Sequence, residues 1–582
     1  MFAPLLHHHL SENTNIQSKL FFRVQCEKYS LKDLEKSGFA IRKLVVTNHR
    51  NAFGRVLYHF ALPPAKKDDV NLTTFGITNG DIVAVTTQNE TGSKLTGVVL
   101  KMTRNSLEVA FDPNSKELAV FDQAETFNLV KIANDVTYRR LKFAVDDLFK
   151  NAQKTYLVRM LFGEEPLQEP LTVLPPYTVP LLGEKEVEDD GEDEEDHGVT
   201  WFNSNLNDSQ REAILFSLYA RHLAVIHGPP GTGKTTTLTE VIMQLVTRGQ
   251  KVFVFAPSNV AVDNIFKQLL NASQVAAARF KALGKRGTTP FNFVRLGHPA
   301  RVDDQLKGYA LDQVVLNSDS SVVADLRAEL DQKTKGTGDS KDKGTYHRIN
   351  RGELRELRQQ ITQYETRAFK ESLKEANVVF ATLTSAALNG QLKYLLDATV
   401  NEKSSSFMFD VAIVDECAQS LEAAAWIPLA HARKCILAGD HQQLPATIIS
   451  KSAAEQGLSI SLIERVVHRL YAACPEKVVR MLTVQYRMNH LIMDWPSEYF
   501  YQGRLVAGEG VRERRLRPVN GSDEPYPVIR LIDTVSCDMY ELELEDSLSK
   551  GNKYEADIVA LYIRELIDVG GIAPSEIGKS FL

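Results

Sequence analysis

The chain contains the glycine-rich run Gly228-Pro229-Pro230-Gly231-Thr232-Gly233-Lys234-Thr235. An apolar, strand-like run, Leu223 to Ile226, precedes it, and a helix-like run from Thr235 through Leu245 follows it. The glycines let backbone N–H groups curl around phosphates, the lysine can reach the β and γ oxygens, and the threonine hydroxyl can hold Mg²⁺. Strand, loop and helix together predict a phosphate-binding loop, so nucleotide binding is the first functional hypothesis.

Length and composition limit the classes of protein that remain. The chain has 582 residues, 43% of them hydrophobic and 24% charged, which is enough for about three to five globular domains. No apolar run approaches the roughly 18 residues needed to cross a bilayer, and the first ten residues lack the features of a secretion signal. The five cysteines are scattered without metal spacing, and the tract His7 to His9 is typical of a disordered terminus rather than a metal site. We therefore expect no membrane partner, and a location in the cytoplasm and the nucleus.

One acidic stretch decides the net charge of −6. Glu184 to Asp196 carries ten acidic residues and one lysine, a local charge of −9, so the rest of the chain carries +3. Such a block repels itself and is typical of a disordered linker, although it could instead be an autoinhibitory tail that lies in a basic groove. With the proline-rich run Pro170 to Leu182, it predicts a linker over residues 166–200. The remaining charge leaves room for local cationic grooves.

Residues upstream of the linker have a strand-like pattern. The β-rich runs are Arg55 to Phe60, Asp81 to Thr86, Thr96 to Met102 and Ser106 to Phe111. Their spacing predicts a small antiparallel β-barrel over residues 37–130. We expect a helical segment over 1–36 before the barrel and a stalk helix within 131–165 after it. Such a barrel could bind single strands, or it could be purely structural.

Downstream of Trp201, strand-like and helix-like runs alternate, as a parallel sheet requires. The strand-like runs are Leu223 to Ile226, Val252 to Phe255, Val378 to Thr382, Val411 to Val414 and Cys435 to Ala438. Functional residues of such sheets cluster at the carboxyl ends of the strands. The fourth run ends in Asp415-Glu416, where one carboxylate can hold Mg²⁺ and its neighbour can take a proton from an attacking water. The fifth run leads to Gln443, a neutral amide that could sense a γ-phosphate or simply belong to a polar turn.

We predict two motor domains, a first over residues 201–447 with a helical insertion at 302–376, and a second over 448–582. Apolar residues recur at helical spacing within the insertion, at Leu354, Leu357, Ile361, Tyr364 and Ala368. They predict a helical hairpin whose loop is the polar stretch Asp331 to Thr345. The predicted fold class is α/β: a P-loop, RecA-like parallel-sheet motor with an N-terminal β-barrel, the insertion and an incomplete second RecA-like domain.

Several motifs occur together in chain order. They are Asp208-Ser209-Gln210, the phosphate loop, Ala256 to Asn264, Asp415 to Gln419, Gly439 to Leu444 and Val484 to Met488. This set resembles the superfamily 1 helicases of the Upf1-like group. Within that group, the segments Asn134 to Leu141 and Arg295 to Arg301 and the barrel upstream are similar to the immunoglobulin mu-binding (Smubp) helicases. The resemblance covers nearly the whole chain.

The resemblance implies an ATP-driven motor that moves 5′ to 3′ along single-stranded RNA or DNA and separates duplexes, with ATP and Mg²⁺ as cofactors. The implied nucleotide-binding residues are Gln210, Gly228, Pro229, Pro230, Gly231, Thr232, Gly233, Lys234, Thr235, Thr236 and Tyr486. Of these, Gln210 would read the adenine edge and Tyr486 would stack on the base.

The resemblance also gives roles to a catalytic set, which comprises Lys234, Asp415, Glu416, Gln443 and Arg487. Thr235 and Asp415 would hold Mg²⁺, and Glu416 would be the catalytic base. Gln443 would couple loss of the γ-phosphate to the grip on the strand, and Arg487 would stabilise charge on the transferring phosphoryl group.

Two further segments would contact nucleic acid by the same resemblance. They are Pro257-Ser258-Asn259 and Thr384-Ser385, whose hydroxyl and N–H groups would touch the strand backbone and position it without reading its sequence. We expect single-stranded RNA and DNA as partners, ribosomes or ribonucleoprotein complexes as further partners, and a monomer.

The C-terminal part departs from the family. Val528 to Asp533 predicts a strand and Tyr554 to Val569 a helix, and the chain then ends where the family begins another strand. An arginine that the family supplies from the opposite domain is absent, and loss of such a group can cost about 10³ or more in rate. Two hypotheses follow: a helicase, present here as a fragment, a truncated isoform or a faulty gene model, or a catalytically impaired ATP- and nucleic-acid-binding protein. A ring-forming ATPase of another P-loop class is disfavoured, because the motif Val484 to Arg487 has no role there.

Overall fold

The structure is a computed structural model that describes residues 30–52, 55–63, 71–87, 95–111, 115, 118, 121, 124–132, 135–151, 155–178, 199–282, 291–318, 325–326, 329, 351–388, 390–395, 408–448, 450–519, 524–543 and 550–578. The chain divides into two compact units. The first is Met1–His227 with Thr235–Arg480, and the second is Gly228–Lys234 with Met481–Leu582. None of the helices within the described ranges combines the length and the apolarity that crossing a bilayer requires.

The first unit begins with a closed, six-stranded antiparallel barrel, which confirms the predicted barrel. Its strands are β1 (Ala40–Ala52), β2 (Arg55–Ala61), β3 (Ile82–Thr87), β4 (Thr96–Met102), β5 (Ser106–Phe111) and β6 (Phe127–Lys131). Neighbouring strands follow the order β1-β2-β5-β4-β3-β6, and β6 pairs with β1 to close the barrel. Inside it, the rings of Phe111 and Phe127 each meet Phe60 edge-on. A short helix, α1 (Leu31–Lys36), precedes the barrel and is capped by Ser30.

Two helices connect the barrel to the sheet that follows, α2 (Asp135–Asn151) and α3 (Tyr156–Leu161). Leu141, Val145 and Leu148 of α2 are buried and belong to the same hydrophobic core as the sheet. The helix α2 therefore packs along the sheet domain of the first unit, which we call the motor (residues 201–227 and 235–480).

The motor is built on a seven-stranded sheet. Its strands are β7 (Leu223–His227), β8 (Val252–Ala256), β9 (Phe293–Arg295), β10 (Val378–Thr382), β11 (Phe409–Val414), β12 (Ala432–Gly439) and β13 (Val479–Met481). They lie in the order β13-β7-β12-β11-β8-β10-β9, and the pairs from β7 to β9 are parallel. Every residue of β7, β8 and β10 is buried, because helices cover both faces of such a sheet. The predicted α/β fold with a P-loop parallel sheet is confirmed.

The helices of the motor come before the first strand and between the strands. They are α4 (Asp208–Tyr219), α5 (Lys234–Thr247), α6 (Asn259–Ala282), α7 (Leu311–Ser318), α8 (Arg351–Glu375), α9 (Glu422–Leu429), α10 (Lys451–Ala453) and α11 (Leu462–Arg465). The helix α8 lies in the predicted insertion, and it buries Leu357, Ile361 and Ala368. Tyr364 was expected in the same buried stripe, but it is 43% exposed, because a tyrosine at the rim of an apolar stripe keeps its polar end in water. The predicted loop, residues 331–345, lies outside the described residues.

An edge strand that the sequence did not reveal extends the motor. The three-residue strand β13 adds to the sheet beside β7, and the first compact unit continues to Arg480. Arg480 holds this edge, because its Nε lies 2.7 Å from Glu212 and its guanidinium lies over the ring of Phe216. A three-residue strand carries too little periodicity to be found without its neighbour.

The second unit has a small core formed by Met493, Tyr501 and Leu505. Its elements after the loop are β14 (Val484–Gln485), α12 (His490–Tyr501), β15 (Val506–Ala507), α13 (Glu509–Arg512), β16 (Leu542–Glu543), β17 (Lys550–Gly551) and α14 (Lys553–Arg564), which continues as a wider turn to Val569. The predicted helix at 554–569 is therefore observed. The predicted strand at 528–533 is wrong: that segment forms no strand, and Leu531 is 89% exposed. Apolar alternation needs a pairing strand and a buried face before it becomes a strand.

Candidate nucleotide and nucleic-acid sites

The phosphate loop connects the end of β7 to the start of α5. Gly231 and Gly233 have positive φ angles of 76° and 79°, which side chains other than glycine adopt at a cost. The backbone N–H and the hydroxyl of Thr232 both donate to the carbonyl of Pro229, at 3.3 and 2.8 Å. These bonds close a tight turn whose other N–H groups can face an anion.

Within the second unit, two predicted residues lie against this loop. The N–H of Tyr486 donates to the carbonyl of Gly231 at 2.8 Å, and a Cβ placed on Gly231 would lie 2.6 Å from the Cβ of Arg487. The side chains of Tyr486 and Arg487 are exposed. The buried amide of Gln485 fixes their backbone, since its Oε1 accepts from the N–H of Arg487 at 2.8 Å and of Met488 at 2.9 Å.

In the first unit, the predicted carboxylates Asp415 and Glu416 follow β11. Asp415 is buried, and its Oδ1 accepts from the N–H of Glu416 at 2.9 Å. Glu416 has φ 51° and ψ 36°, the left-handed conformation, and its Oε2 accepts from Nε2 of Gln419 at 3.2 Å. A non-glycine residue held in this conformation stores strain of about 1–3 kcal/mol. Strain of this kind is common at functional sites.

Gln443 follows the neighbouring strand β12. Its Nε2 donates to Oδ2 of Asp440 at 2.7 Å, while Oδ1 of Asp440 accepts from the N–H of Gln442 at 3.0 Å. The Nε2 of His227, the last residue of β7, lies 2.9 Å from the same Oδ1. Burial, reinforced by His227 and His468, lowers the pKa of His441 to about 4, so this ring is neutral at physiological pH. The sequence predicted Gln443 alone from this group.

Gln210, the predicted reader of adenine, is buried at the start of α4. Its Oε1 accepts from the N–H of Asn207 at 3.1 Å, and the side chain of Asn207 accepts from the N–H of Gln210 at 3.0 Å. This reciprocal pair is a capping box that fixes the helix terminus. The structure therefore gives Gln210 a structural task, and its role in reading adenine stays a prediction.

The two predicted nucleic-acid segments follow the adjacent strands β8 and β10, which pair in register from Val252↔Val378 to Ala256↔Thr382. Their first residues therefore leave the same edge of the sheet. In the first segment, Ser258 caps α6 by accepting from the N–H of Ala261 at 3.1 Å. The Oδ1 of Asn259 accepts from Nη2 of the buried Arg295 at 2.9 Å.

In the second segment, the backbone carbonyl of Thr384 accepts from Nη1 of Arg140, a residue of α2, at 3.0 Å. The hydroxyls of Ser385 and Thr382 lie 2.7 Å apart. The sequence analysis gave Arg140 and Arg295 no role at these segments, because both reach them from distant parts of the chain. Strand contact by the two segments stays a prediction.

Comparison with known proteins places this geometry in a family. A family model described as an AAA domain matches residues 205–451, and another with the same description matches 458–578. A model described as the 1B domain of helicase SMUBP-2/HCS1 matches residues 13–132. The DNA polymerase alpha-associated DNA helicase A of Schizosaccharomyces pombe is 30% identical over 566 residues, which cover 94% of this chain and 76% of that protein. The chain belongs to the Smubp group of Upf1-like helicases.

Two further relatives are similar to this chain, one a SMUBP-2 protein and the other a homolog of regulator of nonsense transcripts 1. The DNA-binding protein SMUBP-2 of Rattus norvegicus is 40% identical over 554 residues, which cover 94% of this chain and 50% of that protein. A homolog of regulator of nonsense transcripts 1 from Arabidopsis thaliana is 28% identical over 495 residues, which cover 83% of this chain and 33% of that protein. The chain thus spans about half the length of the SMUBP-2 relatives that it matches. The family predicted from the motifs is confirmed.

Proposed function

We propose that this chain is an ATP-dependent helicase that moves 5′ to 3′ on single-stranded RNA and DNA. The observation that carries the proposal is the phosphate loop after β7 combined with the acidic pair Asp415-Glu416 after β11, in a chain of the Smubp group. The names of the relatives, which include a DNA-binding protein and a DNA helicase, support a nucleic-acid substrate. We further propose ribonucleoprotein complexes as partners, a monomeric state, and a location in the cytoplasm and the nucleus.

The residues present fit MgATP. The positive φ angles of Gly231 and Gly233 shape a loop whose N–H groups suit phosphate oxygens, and Lys234 and Thr235 begin α5, where the helix dipole favours an anion. Mg²⁺ takes carboxylate and hydroxyl oxygens, which Asp415 and Thr235 would supply. The ion would neutralise charge that develops on the phosphoryl group.

The protein would supply the remaining chemistry. Glu416 would accept a proton from the attacking water, and the hydrogen bond from Gln419 keeps one of its carboxylate oxygens oriented. Gln443, held by Asp440, would respond to the γ-phosphate through the part of its amide that Asp440 does not engage. The exposed guanidinium of Arg487 would stabilise charge on the transferring group.

Hydrolysis and strand movement test this proposal together. We would measure ATP hydrolysis with and without single-stranded RNA, and unwinding of duplexes with either a 5′ or a 3′ overhang. Glu416→Gln should lower strand-stimulated turnover by about 10²–10⁴-fold while ATP still binds, because it removes the base and leaves the phosphate loop intact. Glu455→Gln, which changes an exposed glutamate, should behave like the parent chain.

Three results would oppose parts of the proposal. Normal hydrolysis by Glu416→Gln would remove Glu416 from its role. Unwinding only with a 3′ overhang would overturn the direction. Binding of ATP and of strand without hydrolysis by the parent chain would overturn the helicase assignment in favour of an ATP- and nucleic-acid-binding protein.

A further inference from the structure

Two histidines and an aspartate converge at the ends of neighbouring strands in the first unit. His227 ends β7 and pairs in register with Gly439, the last residue of β12, and Asp440 and His441 come next in the chain. One nitrogen or oxygen atom from each of His227, Asp440 and His441 lies within 4.8 Å of the other two. The rings of His227 and His441 have centroids 4.7 Å apart. The register of β7 and β12 therefore brings the three potential ligands together.

The chemistry of the three groups suits a transition metal. Imidazole nitrogen and carboxylate oxygen bind Zn²⁺ at about 2.0–2.2 Å, so ligand atoms around one ion lie roughly 3–4 Å apart. The three ligand atoms lie within 4.8 Å of one another, and Nε2 of His227 lies 2.9 Å from Oδ1 of Asp440. Rotation of the side chains would bring these atoms to the spacing found around one ion. The Nδ1 of His441 is buried and has no hydrogen-bond partner among the described residues. A buried polar atom in this state calls for a ligand or a water.

We propose that His227, Asp440 and His441 form a Zn²⁺ site. His468, an exposed residue whose ring centroid lies 4.6 Å from that of His441, stands next to the site and could add a fourth ligand, as could a water. Outer hydrogen bonds already orient the carboxylate, since Asp440 also accepts from Gln443 and from the N–H of Gln442. A structural site of four ligands and a site with an open position both fit this donor set.

The location of the site predicts that a bound ion affects ATP hydrolysis. This part of the inference rests on the proposed function. His227 directly precedes the phosphate loop, and Asp440 holds Gln443, the proposed sensor of the γ-phosphate. A bound ion would fix the end of β7 to the segment after β12, where ATP turnover requires Gln443 to respond. Zn²⁺ should therefore inhibit strand-stimulated ATP hydrolysis.

Metal binding itself is tested without any activity. We would titrate the full chain with Zn²⁺ by calorimetry and with Co²⁺ by visible absorption, in a phosphine reductant. His7 to His9 would be replaced by glutamine throughout, because that tract could bind metal by itself. Since outer-sphere partners alone are worth about 10–100-fold in metal affinity, losing a ligand through His441→Gln or His227→Gln should weaken binding by about 100-fold or more. His431→Gln changes a histidine elsewhere in the motor and is the matched control.

One ion per chain, lost in both ligand variants and kept in His431→Gln, supports the site. Absence of stoichiometric binding, or equal affinity in His441→Gln and the parent chain, overturns it. Circular dichroism of each variant distinguishes a lost ligand from a lost fold, and if His227→Gln fails to fold, His441→Gln still decides.

The inhibitory consequence needs a separate assay at fixed Mg²⁺ and ATP. Micromolar Zn²⁺ should lower the ATPase rate of the parent chain, a chelator should restore it, and His441→Gln should resist inhibition while His431→Gln does not. Zn²⁺ binding without inhibition overturns the consequence and leaves the site standing. A parent chain that binds Zn²⁺ but hydrolyses no ATP overturns the proposed function instead, so the two failures are distinguishable.

Discussion

Glu416 and Gly231 both adopt left-handed backbone conformations, and each does so for a different physical reason. Glu416 has a Cβ and is strained, so its φ of 51° persists only because neighbours such as Asp415, which accepts its N–H, hold it there. Gly231 is unstrained at φ 76°, but the space where a side chain would lie is filled by Arg487. Surrounding contacts thus hold Glu416 in its conformation, whereas position 231 requires a residue without a side chain.

Gly231→Ala should therefore weaken ATP binding. The new Cβ would meet Arg487 at 2.6 Å in a conformation that alanine disfavours, and strain of about 1–3 kcal/mol corresponds to roughly 5–150-fold in affinity. Titration with a fluorescent ATP analogue measures the change. Gly510→Ala is the control, because a Cβ at that position would meet no atom within 4 Å. Equal affinities in the two variants would show that the loop relaxes around the added methyl group.

At the scale of elements, the helices α3, α9 and α11 are joined by a buried polar cluster. The Oε1 of Glu422 accepts from Nε of Arg465 at 2.9 Å and from Nε1 of Trp426 at 3.0 Å. Nη1 of Arg465 donates to the carbonyl of Leu161 at 2.9 Å, and the ring of Phe162 stacks on Trp426 at 5.0 Å. The ion pair thus fixes where three helices meet, and its partners compensate each other's charge.

Removing one partner of this pair should be costly. Arg465→Met or Glu422→Gln should each lower the free energy of unfolding by about 3–5 kcal/mol, because the first leaves a buried charge unpaired and the second leaves a buried guanidinium without its anion. The double variant should lose less than the sum of the two. Thermal and urea unfolding of the four proteins measure the cycle. Strictly additive losses would mean that the two side chains act independently.

The elements also show what sequence can and cannot reveal. The phosphate loop, the barrel and the central strands were predictable, because their signals are local runs of apolar residues and turn residues. The edge strand β13 was not predicted, and the strand predicted at 528–533 does not form, since pairing partners decide both outcomes. The contacts of Asn259 with Arg295 and of Thr384 with Arg140 were invisible, because those partners lie far apart in the chain.

At the scale of the whole first unit, cationic groups of the barrel and the motor act on one histidine, and one of them, Arg301, also acts on a cation of α2. Arg301 of the motor donates to the backbone carbonyl of Gly80 in the barrel. Burial, and then the charges of Arg55 and Arg301, lower the pKa of His298 to about 4. Burial, and then Arg301, also lower the pKa of Arg140 in α2. His298, at the junction of the barrel with the motor, is therefore neutral at physiological pH.

This junction should make folding sensitive to acid. The pKa of His298 is about 4 in the folded protein, against about 6.5 for an ordinary histidine. Below pH 6.5 the unfolded chain therefore binds a proton that the folded chain does not bind. The contribution of His298 is fully present above pH 6.5 and is lost as the pH falls towards 4. Between pH 7 and pH 5 the loss amounts to about 1–2 kcal/mol. His298→Gln should therefore reduce the fall in melting temperature between these pH values, whereas His49→Gln, on the exposed surface of the barrel, should not. An unchanged fall in His298→Gln would mean that the barrel and the motor separate, or admit water, before the histidine is protonated.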